Sequence, residues 1–121
     1  MLPMEIHTAM LNKPPSPKAV VSDLALAEKS LDPFHLAQRW AVDVVLESWH
    51  PATWGEYDQR TLKIYLNKQA PISLEKILAH ELGHFWIHQR GYQLSRMEEE
   101  AWVEAFADEL DQSKTLCITK A

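Results

Sequence analysis

The chain has little cysteine or glycine, no long apolar run and no surplus of basic charge, and each shortage removes a class of function. A single cysteine, Cys117, has no partner for an internal disulfide, which fits a reducing compartment such as the cytoplasm. Three glycines leave no room for a Gly-rich phosphate loop. No apolar run approaches the roughly 20 residues of a membrane span. The start, Met1 to His7, lacks a basic region followed by an apolar stretch, so no secretory signal is expected. Twelve Lys and Arg against seventeen Asp and Glu give a net charge of −5, so binding to nucleic acid or to an anionic membrane is not the expected activity. What is present suits one domain: 121 residues, 46% hydrophobic and 24% charged, close to the globular average. Five tryptophans imply either a compact aromatic core or an apolar binding surface.

Residues 1–21 read as an extended arm, because Asn12 to Lys18 holds three of the seven prolines. The domain proper is expected over 22–110. Ser22 is a candidate N-cap for a short helix, and Asp32-Pro33 is a stronger start signal for a second one. Val44, Val45 and Leu46 fit either a continuing helix or a strand, closed by Pro51. Trp54 to Tyr57 and Leu62 to Leu66 read as an antiparallel hairpin, with Leu62, Ile64 and Leu66 on its buried face. Pro71 and Ser73 start a helix over 74–90, and Gly91 ends it. Leu74, Leu78, Leu82 and Phe85 form its apolar stripe. A last helix is expected from about Arg96 to Leu110, with Trp102, Val103, Phe106, Ala107 and Leu110 as its apolar arc. Residues 111–121 read as a polar, frayed tail.

The chemistry is concentrated in His80-Glu81-Leu82-Gly83-His84, an H-E-x-x-H motif. Residues four apart lie about 40° apart around a helix, so both imidazoles can face one ion. Glu81 projects about 100° from His80, where it can hold a water beside that ion without ligating it. Two neutral nitrogen ligands and a nearby carboxylate base are what a zinc hydrolase needs. A third protein ligand is required. His88 continues the i+4 series but diverges by about 80° over roughly 12 Å of rise, which suits a wall or supporting residue better than a ligand. Arg90 stands where a metzincin would carry its third histidine, which excludes that class.

The following acidic helix, Glu98 to Asp108, is the better source. Helical phase turns Glu98 and Glu109 toward water and puts Glu100 at the edge of the apolar arc. Glu100 is therefore the expected third ligand, with Glu104 one turn behind it as support for a ligand histidine. Glu99 and Glu104 are the alternatives for the ligand role. Tyr57, Tyr65 and Tyr92 are candidates for stabilising an oxyanion, and Trp49, Trp54 and Trp86 for lining a cleft, with core packing the ordinary role for each.

The H-E-x-x-H helix followed by Glu100-Ala101-x-x-Glu104 resembles the gluzincin arrangement of zinc metallopeptidases. More narrowly, four features together are similar to the ImmA/IrrE family: Trp54-Gly55-Glu56-Tyr57, Ile64-Tyr65-Leu66-Asn67, Ala79 to His84 with His88, and the helix ending Phe106-Ala107-x-x-Leu110. That family usually carries asparagine where Glu104 stands. The resemblance implies a zincin-like α+β fold with a small, mainly antiparallel sheet packed on the motif helix and the acidic helix. It also implies one zinc ion and proteolysis, often of a transcriptional repressor.

The expected function is zinc-dependent hydrolysis of a peptide or protein substrate. His80, His84 and Glu100 hold Zn²⁺, Glu81 is the general base, and the strand near 62–67 aligns the substrate by strand addition. The alternative is a non-enzymatic, zinc-stabilised module that binds a protein partner.

Overall fold

The computed structural model describes residues 13–49 and 53–120. Residues 1–12 of the expected arm, Pro51 and the side chain of Cys117 lie outside that description. In chain order the elements are α1 (Pro17–Ala27), α2 (Pro33–Arg39), β1 (Asp43–Glu47), β2 (Gly55–Asp58), β3 (Lys63–Asn67), α3 (Leu74–Gln89) and α4 (Arg96–Lys120). The class is α+β. Among the described residues no helix is long and apolar enough to cross a membrane.

Side-chain caps set the helix starts. Asp32 accepts from the Phe34 N–H at 3.2 Å, with Pro33 at the first helical position. Ser73 does the same for α3 through the Lys76 N–H at 3.2 Å. At α4 the bonding is reciprocal. Ser95 Oγ accepts from the Glu98 N–H at 3.1 Å, and the Glu98 carboxylate accepts from the Ser95 N–H at 3.0 Å, a capping box. Glu98 thus faces water, as its helical phase requires, and caps the helix as well.

Three expectations need correction. The first helix is capped by Ser16, not Ser22, and crosses the expected arm boundary. Ser16-Pro17 carries the same cap-and-proline signal as Asp32-Pro33, and Val20 and Val21 are buried where α1 packs on α4. The last helix does not stop at Leu110 but runs to Lys120, since no glycine or proline interrupts residues 111–120. The sheet is mixed, not mainly antiparallel. Its order is β1-β3-β2; β2 runs antiparallel to β3, but β1 runs parallel to it, with Val44 opposite Ile64. An apolar run encodes burial and not strand direction, so the sequence around Val44 is silent on that point.

Ile64 and Leu66 are fully buried beneath α3, whereas Leu62 sits in the turn before β3 with φ of 57° and is largely outside the core. On α3, Leu78, Leu82 and Phe85 are buried, and on α4 so is the whole arc of Trp102, Val103, Phe106, Ala107 and Leu110. Asn67 is a buried polar residue with its amide fully engaged. It accepts from the Trp49 and Gln69 N–H groups and donates to the Trp49 and Thr53 carbonyls, which ties both ends of the β1–β2 connection to the sheet.

Two glycines set how closely these layers approach. A Cβ on Gly55 would lie 2.6 Å from Ile77 Cγ2, so β2 rests directly on α3. A Cβ on Gly83 would lie 3.0 Å from Val103 Cγ1, so α3 and α4 are in near-backbone contact there. Gly55→Ala is expected to destabilise the protein by about 1–3 kcal/mol through overpacking. In an Ile77→Ala background the same change should cost less than half as much, because the opposing methyl is gone. Urea denaturation of the four proteins measures this, and equal costs in both backgrounds would contradict the contact.

Candidate metal centre

Helix α3 places His80 and His84 one turn apart, with ring centroids 5.2 Å from each other. The crossing with α4 sets Glu100 against both. Its Oε1 lies 3.3 Å from His80 Nε2 and its Oε2 lies 3.2 Å from His84 Nε2. Glu99 turns to the other side of His84. Its Oε2 is 2.6 Å from His84 Nδ1 and 2.9 Å from His88 Nε2. Two sets of side chains could therefore hold a metal ion: His80, His84 and Glu100, or His84, His88 and Glu99.

Spacing distinguishes the two. Donors bound at about 2.0–2.1 Å around a tetrahedral ion stand about 3.3 Å apart. In the first set Glu100 stands at that separation from each histidine, through one oxygen for each, and all three donors lie within 4.8 Å of one another. The second is closed by contacts of hydrogen-bond length, short enough for a charge-assisted pair. Exposure agrees, since the Glu100 side chain is 50% exposed and open to a ligand, while that of Glu99 is 14% exposed and held between two rings. With Glu99 ionised, His84 donates from Nδ1–H and its Nε2 keeps a lone pair for an ion, the usual carboxylate–histidine support.

The expectation for the support residue is thus corrected. Glu104 is exposed and sits near His80, and the carboxylate behind His84 is Glu99. Helical phase leaves Glu99 as an alternative ligand only. It did not show that His88 would turn back to share the same oxygen. His88 is half-buried, shares the Glu99 oxygen with His84 and borders one of the hollows beside the site.

Burial governs the charge states. Glu81 is 9% exposed, and this burial, with Glu100 and Glu56 nearby and His84 opposing, pushes its carboxyl up to about 7. Burial and then the neighbouring His84 hold His80 below the usual imidazole range, against the pull of Glu100 and Glu104. His80 is therefore neutral near pH 7, as a nitrogen ligand must be.

Two hollows flank these residues. One, of about 430 Å³, is lined by apolar Trp54, Ile72, Ile77 and Ala107 together with His80, Glu81, Lys76, Glu104 and Asp108. The other, of about 490 Å³, is bordered by His80, Glu81, His84, His88, Glu100, Tyr57 and Arg96. Of the three tryptophans considered for a cleft, Trp54 lines one. Trp86 instead stacks in the core against Trp102 at 5.3 Å, and Trp49 is half-buried. No protein-family model, curated protein or solved structure matches the chain.

Two predictions follow from this geometry. In chelator competition, Glu100→Ala should lose Zn²⁺ affinity most, Glu99→Ala about 10–100-fold as a supporting partner, and Glu104→Ala least. A larger loss at Glu99 than at Glu100 would place the ion on the other set. The second concerns pH in the metal-free protein. Unfolded, Glu81 loses its proton near 4.5, and folded only near 7. Between those values the folded state binds more protons, so stability falls as pH rises, by up to about 3 kcal/mol. Glu81→Gln escapes this. In chelator, the variant should gain stability relative to the native chain between pH 5 and pH 8, and a constant difference would contradict it.

Proposed function

We propose that this chain is a zinc metallopeptidase of the gluzincin kind, similar to the ImmA/IrrE family. The observation that carries the reading is the His80, His84 and Glu100 set at ion-sized separations, with a buried carboxylate, Glu81, beside it. Two nitrogens and one oxygen suit zinc better than calcium or magnesium, which prefer all-oxygen sites. A zinc ion held there supplies Lewis acidity, lowering the pKa of a water toward about 7 and polarising a carbonyl.

The chain's own residues do the rest. Glu81 accepts the proton of the attacking water and returns it to the departing amine nitrogen. Its raised pKa suits that exchange, and a bound cation would draw it down toward the ionised, basic form. Glu99 fixes the His84 tautomer, and His88 holds Glu99 in place. Among the described residues this set has three donors, His80, His84 and Glu100, and a zinc held by them would remain open to water or substrate. A purely structural zinc staple needs a fourth donor.

The strand expected to align the substrate is corrected here. Lys63–Asn67 is the central strand and is paired on both sides, so it has no edge to offer. β2 is an edge strand, and Gly55, Glu56 and Tyr57 border the hollow that contains Glu81 and His84. An extended peptide laid along β2 would pass over the site. The substrate we propose is such a segment of a protein, as in a transcriptional repressor, met in the cytoplasm.

Protein purified without chelator should carry about one zinc per chain. Glu81→Gln should keep that zinc and the fold but lose hydrolysis of a mixed fluorogenic peptide pool by about 10²–10⁴-fold. A variant that loses its metal would show that Glu81 is a ligand and that the roles are wrongly assigned.

A further inference from the structure

Peptide hydrolysis leaves one role unassigned in this chain, that of a protein donor for the carbonyl oxygen as it becomes negative. Three tyrosines were candidates on sequence, and none has a hydroxyl placed for it. Tyr92 stacks on Trp86 at 5.7 Å. Tyr65 lies on the central strand, opposite Glu56, and does not border the hollow. Tyr57 does border it, but its hydroxyl is fully buried. His88 borders it too, but its Nε2 is held by Glu99 at 2.9 Å.

Arg96 remains. The Ser95 cap makes it the first residue of α4, and Glu100 follows one turn later on the same helix face. Arg96 borders the same hollow as His80, Glu81 and His84. Although Glu56 and Glu100 border that hollow as well, the Arg96 guanidinium makes no hydrogen bond or ion pair among the described residues. It is a positive charge with five donors, one turn from the expected ligand carboxylate.

We propose that Arg96 is a catalytic residue whose guanidinium donates hydrogen bonds to the scissile carbonyl oxygen as that oxygen takes up negative charge. The inference rests on the peptidase reading above. Water oxygen bonds to the carbonyl carbon, and the carbonyl π pair moves to the oxygen facing Arg96. Glu81 takes the water proton. The pair then returns, the C–N bond breaks, and Glu81 protonates the nitrogen. Arg96 stays protonated throughout and transfers nothing.

Two measurements on the zinc-loaded full chain test this. With a cleaved fluorogenic peptide, Arg96→Gln should lower kcat by about 10²–10³-fold with KM little changed. Zinc content should not change, and Arg96→Lys should recover part of the rate. Because a guanidinium does not titrate in the accessible range, the pH profile of Arg96→Gln should be lower but not displaced. Without turnover, calorimetry should show a phosphinic pseudopeptide, with a tetrahedral PO₂⁻ in place of the scissile carbonyl, binding Arg96→Gln more weakly by a similar factor. The parent peptide, measured in the Glu81→Gln background, should bind equally with or without Arg96. Equal weakening of both ligands, no weakening of either, or a loss confined to KM for acidic peptides would overturn the proposal. The last result would make Arg96 a binding residue for substrate carboxylates. A chain that binds zinc and shows the Arg96-dependent phosphinate affinity, yet cleaves no peptide, would contradict the peptidase reading and leave the Arg96 contact standing.

Discussion

The site depends on how closely α3 and α4 cross at Gly83. Val103 Cγ1 and Cγ2 would stand 3.0 and 3.2 Å from a Cβ at that position, and Phe106 Cδ2 would stand 3.3 Å away. Glycine lets the two helices approach until Glu99 and Glu100, one turn before Val103, reach His84 and His80. A larger residue there would push α4 outward and open both carboxylate contacts together. A second clamp lies beside the first. Trp86 of α3 stacks on Trp102 of α4, which stacks on Phe106, both at 5.3 Å, and Arg90 covers the outer face of Trp86 at 4.1 Å. The Trp102 indole N–H donates to the Pro15 carbonyl at 2.8 Å, so the segment before α1 is fastened to the same helix.

Given that crossing, two adjacent glutamates take different work. Successive residues on a helix diverge by about 100°. Glu100 therefore meets the nitrogens that face the open hollow, and Glu99 meets the nitrogen on the far side of the His84 ring. One imidazole is gripped from both sides. Its Nδ1 is committed to a short hydrogen bond, which leaves Nε2 no choice of tautomer. His88, too far along the helix to join His80 at one ion, is used to immobilise the Glu99 carboxylate.

Much of this was legible in the sequence, for identifiable reasons. The motif helix, its Ser73 cap and its Gly91 stop, with φ of 72°, rest on local chemistry. The apolar arc from Trp102 to Leu110 follows from period alone. Glu100 was singled out by helical phase, and the structure brings it to both histidines. What was not legible depends on contacts between distant elements. The direction of β1 is decided by its pairing with β3. The choice of Glu99 over Glu104 as the support depends on the axial offset of α4 against α3, which no single-helix argument contains. The extension of α4 past Leu110 is not signalled by polarity, which suits a frayed tail as well as a solvated helix, although the residues themselves permit a helix. The capping box at Ser95 and Glu98 was present as a readable S-x-x-E signal.

The central claim is that one ion sits between His80, His84 and Glu100, with Glu99 behind it. The most direct measurement is an anomalous-difference map at the zinc edge from crystals grown with Zn²⁺. The account predicts one peak, about 2.0–2.2 Å from His80 Nε2, His84 Nε2 and a Glu100 oxygen, with no fourth protein donor. A peak among His84 Nδ1, His88 and Glu99, or none at all, would contradict it.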